Sequence, residues 1–333
     1  MHQDDRNVSF TKPNTLLTAE VGYKPFRYPW AYEIWLQQQQ MHWLAAEVTM
    51  GDDISDWNVL NEAERHLITQ VLRFFTQADS DVATICYLKY LKFFKPTEVV
   101  MMLLCIANTE TIHMDAYSHL LESLGLPQIE YKAFLKFEEM LTKHEFLFQF
   151  NMDSPHEVAK TLAVYGAFTE GLQLFASFAM LINFQRFGKM KGLGQIVAWS
   201  IRDELLHTEA MIMLFHQFIE EYPEAWTKKL HTEITEACIN VVKNEDAFID
   251  LAFGIVKEVH GLSANDMRQY IRFIANTRTK QLRIAPPFPE VTVNPLAWMD
   301  EIVVAPQFTN FFEQRPTAQY GRAATSESWE DVF

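Results

Sequence analysis

The stretch Glu110-Thr111-Ile112-His113-Met114-Asp115-Ala116-Tyr117 sets a carboxylate, an imidazole and a phenol at positions i, i+3 and i+7. On an α-helix those positions form one stripe two turns long. Glu204-Leu205-Leu206-His207 repeats the carboxylate and imidazole at the same spacing. A single Glu-x-x-His is commonplace and reads as a solvated face or a satisfied pair. Here two copies occur, each preceded by a helical pattern with an acid in its apolar middle, Asp79 before the first and Glu170 before the second. That arrangement matches a metal site built inside a helix bundle, where two helices each give Glu-x-x-His and two others give one carboxylate. Asp79 and Glu110 are 31 residues apart, and Glu170 and Glu204 are 34 apart. Part of one long helix, a turn and part of its antiparallel neighbour span such an interval and would bring each pair level. Four carboxylates and two imidazoles without a cysteine suit two iron or manganese ions and not a zinc–thiolate site. Cations also offset the cost of burying four acids together.

The elements that must carry these residues are legible from periodicity and breakers. A helix is expected from Pro29 to about residue 47, with Trp30, Ile34, Trp35 and Trp43 among its apolar positions. Asn61-Glu62-Ala63-Glu64 has capping-box spacing and opens a helix that bears Asp79 and runs to about residue 94. Lys95-Pro96-Thr97 breaks it, and the next helix, about 97 to 124, carries Glu110, His113 and Tyr117 until Gly125 and Pro127. A shorter helix is expected at about 130 to 149. Ser154-Pro155-His156-Glu157 then starts one that contains Glu170 and ends near 187. Gly192 and Gly194 punctuate, and helices follow at about 195 to 221, 224 to 259 and 263 to 283, the first of them with Asp203, Glu204 and His207.

Bulk properties narrow the function. The 333 residues include only eleven Gly and are 49% hydrophobic, which favours an all-α chain, and no linker interrupts residues 20 to 290. A formal charge of −15 argues against nucleic acid or an anionic membrane as the main partner. Cys86, Cys105 and Cys238 lie in apolar helical runs and read as reduced core thiols of a cytoplasmic protein. The first ten residues contain no apolar run, so no signal peptide is expected. The longest apolar stretch, roughly 162 to 184, contains Glu170 and Gln173 and reads as a core helix, not a membrane span.

Taken together, these residues resemble the small, radical-generating subunit of class I ribonucleotide reductase over nearly the whole length. The most specific matches are Asp79, Glu110-x-x-His113 with Tyr117, Glu170, and Arg202-Asp203-Glu204-x-x-His207. The resemblance implies a ferritin-like helical bundle, a homodimer, and a dinuclear metal centre in the core that reacts with oxygen to oxidise a tyrosine to a stable radical. Asp79, Glu110, His113, Glu170, Glu204 and His207 would be the metal ligands and Tyr117 the radical site, with Leu174 and Phe178 as candidate walls of its pocket. The ligand set leaves two irons, two manganese ions and a mixed pair open. His42-Trp43-Leu44 resembles the stretch whose tryptophan starts the radical's way out, with Trp43, Asp203 and His113 as a hydrogen-bonded relay.

By the same resemblance, Tyr320 would hand the radical to the large catalytic subunit. Residues 326–333, with Trp329 and Phe333 as anchors, would dock to it as a peptide that orders on binding. The chain thus divides into an arm (1–28), the helical domain (29–314) and a tail (315–333). Reduction of ribonucleoside diphosphates would take place in the large subunit, because no Gly-rich phosphate loop is present here. Two rivals share parts of this pattern. Another carboxylate-bridged oxygenase or oxidase would not be expected to combine Asp79, Tyr117, the Trp43 relay and the aromatic, acidic tail. An iron-storage protein would have no use for that tail.

Overall fold

Most of the chain's backbone pairing is helical, as the scarcity of Gly and the 3.6-residue patterns require. The computed structural model describes residues 9–146 and 151–301, except the side chains of 76–82, 84–85, 129, 131 and 144–146. In chain order the helices are α1 (Pro29–Gln40), α2 (Gly51–Val59), α3 (Glu62–Asp81), α4 (Leu88–Phe93), α5 (Thr97–Ser123), α6 (Glu138–Phe146), α7 (Pro155–Ala163), α8 (Phe175–Ile182), α9 (Lys191–Glu221), α10 (Lys228–Ala252) and α11 (Ala264–Gln281). The described residues hold one small sheet, an antiparallel hairpin of β1 (Glu258–Val259) and β2 (Leu262–Ser263).

The capping signals act as expected. Asn61 Oδ1 accepts from the Glu64 amide at 2.9 Å while Glu64 Oε2 accepts from the Asn61 amide at 3.0 Å, closing the box that starts α3. Ser154 Oγ accepts from the Glu157 amide, with Pro155 in the first turn of α7. Packing then gathers α5 against α1 and α3, and α9 against α7, α8 and α5, so the four chemistry-bearing segments share one core. By length and composition α5 resembles a membrane span. It is a core helix here, with Glu98, Glu110 and His113 buried along it.

Several boundaries differ from the periodic reading. The first helix stops at Gln40, and Trp43 lies on the following loop, held by tertiary contacts. α2 was not expected. The run expected at 130 to 149 is 3₁₀ over Gln128–Lys136 before α6 begins. Gly192 and Gly194 lie inside α9 and do not interrupt it: buried Asp53 accepts from the amides of Gly192 and Leu193, both at 2.8 Å, and caps the helix. A Cβ on Gly192 would come within 2.9 Å of that carboxylate. α10 ends at Ala252, and the hairpin occupies the last part of the helix expected to reach 259.

Two long helices are also not purely α. Val82–Tyr87, after α3, and Val164–Thr169, after α7, are π-helical, and residues 170–174 are turns. Such insertions widen the helix locally and re-aim the residues at their ends. The arm, over residues 9–28, has no helix or strand, yet it is pinned. Leu16 is fully buried, its amide donates to Glu221, and Lys12 pairs with Glu224.

Candidate metal centre

Glu110 on α5, Glu170 after the second π segment, and Glu204 and His207 on α9 are all buried. Each offers a ligand atom, and those atoms lie within 4.8 Å of one another. Both imidazoles turn Nδ1 toward the acids. His207 Nδ1 is 3.0 Å from Glu110 Oε1, 3.3 Å from Glu204 Oε2 and 4.0 Å from Glu170 Oε2. His113 Nδ1 is 3.1 Å from Glu204 Oε1 and 3.4 Å from Glu110 Oε2. The i, i+3 spacing in α5 and α9 thus does what a helix predicts, setting acid and imidazole side by side on one face. Asp79 falls on α3, and its side chain lies outside the described residues.

The electrostatics are those of a site short of positive charge. Burial, and then the charges of Glu204 and Glu110, push Glu170 well above the usual carboxylate range. Burial works the same way on Glu204, but His207 and His113 hold it below that range. Burial opposes charge on the two imidazoles, and the surrounding carboxylates nevertheless raise both well above the ordinary histidine value. Glu110 Oε1 is buried and makes no hydrogen bond despite its approach to His207. Three buried carboxylates around two inward Nδ1 atoms fit hard or borderline divalent cations bound by oxygen and nitrogen. Without cations such a cluster is a large desolvation cost.

Buried aromatic rings accompany the cluster. Tyr117, one turn past His113, is 2% exposed and stacks on Phe75 at 4.4 Å between centroids and 26° between planes. Phe178 reaches Phe75 at 5.5 Å. On the other side Asp203 joins two rings: Trp43 Nε1 donates to its Oδ2 at 2.7 Å, and His113 Nε2 donates to the same oxygen at 3.2 Å. Burial raises Asp203, but the His113 hydrogen bond and charge hold it below the usual range, so it is an acceptor. The bond to Asp203 therefore places a proton on His113 Nε2 and leaves Nδ1 as the nitrogen that faces the acids. Gln38 Nε2 donates to Asp203 Oδ1, and Arg202 donates to the Met41 carbonyl, fixing the loop that carries Trp43.

A family model for the ribonucleotide reductase small chain matches residues 20–295. The chain belongs to that family. It is similar to the probable ribonucleoside-diphosphate reductase small subunit 048L of Invertebrate iridescent virus 3, at 40% identity over 94% of this chain and 88% of that protein. It is 31% identical to the ribonucleoside-diphosphate reductase subunit beta of Chlamydia pneumoniae, over 92% and 91% of the two chains. Among solved structures, the ribonucleotide reductase R2 subunit from Clostridium botulinum superposes with a TM-score of 0.79 at 21% identity, covering 87% of this chain and 92% of that one, which supports the fold. The protein is thus a ribonucleotide reductase small chain, one subunit of an oxidoreductase whose name implies a large subunit as partner.

In this small chain the presentation of Glu170 depends on residues that periodicity did not single out. The helix breaks directly after Glu170, freeing carbonyls, and two buried cations take them. Arg278 Nε on α11 donates to the Gly171 carbonyl at 2.7 Å, and Lys143 Nζ on α6 donates to the Gln173 carbonyl at 3.1 Å. Lys143 is itself paired with Glu245 of α10 at 2.7 Å and lies 3.8 Å from the Phe74 ring centroid, with all of these groups buried. Tyr87 was also missed; its hydroxyl donates to Glu170 Oε1 at 2.7 Å. The only sequence signal for Tyr87 was a tyrosine two turns beyond Asp79 on what looked like an ordinary helix. Lys143 and Arg278 gave none beyond a charge within an apolar pattern. Leu174 is buried, and Phe75 is the ring that stacks on Tyr117. Tyr320, Trp329 and Phe333, with the tail 315–333, lie outside the described residues.

Proposed function

We propose that this chain holds two first-row metal ions with Asp79, Glu110, His113, Glu170, Glu204 and His207, generates a radical at Tyr117, and passes it to the large subunit for ribonucleotide reduction. The observation that carries this reading is the pair of inward-facing Nδ1 atoms set against three buried carboxylates, with a buried tyrosine one turn beyond His113 on α5. Bound there, two irons, two manganese ions or one of each would supply, with oxygen, the power to take an electron from a phenol. We favour two irons; the oxygen-rich donor set serves either metal.

The chain's own residues supply the rest. Phe75 covers the Tyr117 ring and keeps water from the oxidised phenol. Trp43, Asp203 and His113 form a continuous hydrogen-bonded line from the core toward the loop after α1, the route by which an electron would return. Beyond it, Tyr320 and the peptide 326–333 belong to the same proposal as the last relay and the docking segment. A homodimer is part of it too. The exposed Leu104 and Met114 on α5 and Leu36 on the adjoining α1 support a covering second copy. The three buried free thiols support a reducing, cytoplasmic setting.

The test is electron paramagnetic resonance on protein loaded with ferrous iron and exposed to oxygen, beside metal analysis and a Tyr117→Phe control. A tyrosyl signal that vanishes in the control is the expected result. Two bound metals with no signal, both with iron and with manganese plus a superoxide source, would remove the radical assignment.

A further inference from the structure

Tyr87 is one of the largest fully buried side chains, and nothing in the relay or the ligand set uses it. Its hydroxyl donates to Glu170 Oε1 at 2.7 Å. The other oxygen of the same carboxylate, Oε2, is the one that approaches His207 Nδ1 and so faces the cluster. The two partners of this bond are placed in the same way. Tyr87 ends the π segment Val82–Tyr87, and Glu170 directly follows the π segment Val164–Thr169. A π insertion persists where it aims a side chain that a regular helix would aim elsewhere. Here two of them meet in a single hydrogen bond. The Tyr87 ring has little room to move, since Tyr90 packs edge-on against it at 6.1 Å. The space among Tyr87, Tyr90, Tyr165, Thr169 and Met211 leaves no room for a water molecule beside the phenol.

We propose that Tyr87 is a positioning residue of the metal centre: by occupying Oε1 it orients Glu170 and leaves Oε2 alone to bind the ions. The proposal rests on the reading of Glu170 as a ligand. A donor on one carboxylate oxygen fixes the carboxylate torsion and lowers the charge available at that oxygen, so the ligand binds through the other. Outer partners of this kind typically govern metal affinity by about 10- to 100-fold. Tyr87→Phe removes the donor and keeps the ring.

The experiment is anaerobic titration of the full chain with Mn²⁺ alone, followed by calorimetry and by the resonance spectrum of the bound ion, for wild type, Tyr87→Phe and Tyr90→Phe. Tyr90 is a buried neighbour whose hydroxyl lies 3.5 Å from the Thr161 carbonyl, so its variant controls for loss of a buried hydroxyl. The expected result is a loss of about 10- to 100-fold in at least one Mn²⁺ affinity and an altered spectrum in Tyr87→Phe only, with the metal-free melting temperature within a few degrees of wild type. Unchanged affinities in Tyr87→Phe, or an equal loss in Tyr90→Phe, would overturn the positioning role while leaving the metal centre intact. A wild-type chain that takes up no Mn²⁺ would instead overturn the metal-centre reading, and this inference with it.

Discussion

Trp43 and Asp203, 160 positions apart in the chain, share a buried hydrogen bond of 2.7 Å, and the accepting oxygen is the one that also accepts from His113. A single carboxylate oxygen thus joins the indole on the loop after α1 to an imidazole that faces the acid cluster. Trp43→Phe removes the indole donor and keeps an aromatic core residue. Stability should fall by about 2–4 kcal/mol, from the lost hydrogen bond to a buried carboxylate and the smaller ring. The Tyr117 radical should still form, and turnover with the large subunit should drop at least about a hundredfold if the step is a positioned transfer. Radical yield and reductase activity measured on the same sample check this, and full turnover would exclude Trp43 from the route.

Tyr117→Phe should be mild in structural terms, because the Phe75 stack survives the loss of one hydroxyl. Metal stoichiometry should stay at the wild-type value, and the tyrosyl signal and the reductase activity should both disappear. Resonance spectra and metal analysis are the readouts. Retained activity would move the radical to another residue.

The break after Glu170 tolerates no added atoms. A Cβ on Gly171 would lie 2.6 Å from Arg278 Nε and 2.9 Å from Thr208 Cγ2, between the cation that holds this turn and the helix that carries Glu204 and His207. Gly171→Ala should cost about 1–3 kcal/mol of stability through overpacking. It should also weaken Mn²⁺ binding, since Glu170 must move with the turn. Denaturation and metal titration would show both effects, and an unaffected variant would mean that α11 yields freely.

Lys143 and Glu245 form a fully buried pair, so removing one partner strands the other. Lys143→Met should destabilise the chain by about 3–5 kcal/mol. The Gln173 carbonyl also loses its donor, so the variant should bind metal more weakly than its melting temperature alone explains.

The same pair makes a pH prediction. Burial raises Glu245 to about 7, more than Lys143 lowers it. A carboxyl whose pKa is raised in the folded state contributes stability that is full below its unfolded value, near 4.5, and is lost as pH rises through about 7. The melting temperature of wild type relative to Glu245→Gln should therefore decline between about pH 4.5 and 7 in metal-free protein. A flat difference across that window would show that Lys143 holds Glu245 ionised throughout.

What the sequence determined by itself was everything that depends on local periodicity. Glu110 with His113, and Glu204 with His207, sit on one face because three residues make nearly one helical turn, whatever surrounds them. Ser154 and Asn61 cap where they do because the acceptor and the amide it satisfies are three residues apart. The all-α class followed from the same patterns and from the few glycines. The tertiary structure alone decided where the helices depart from α geometry and what satisfies the groups those departures expose. The π segments, the turn after Glu170, and the meeting of Tyr87 with Glu170 across 83 positions leave no periodic trace. Nor do the Arg278 and Lys143 bonds to carbonyls 107 and 30 residues away. The physical reason is that a break in a buried helix is affordable only where another element supplies the missing hydrogen bonds, and that supply is a property of the packed core.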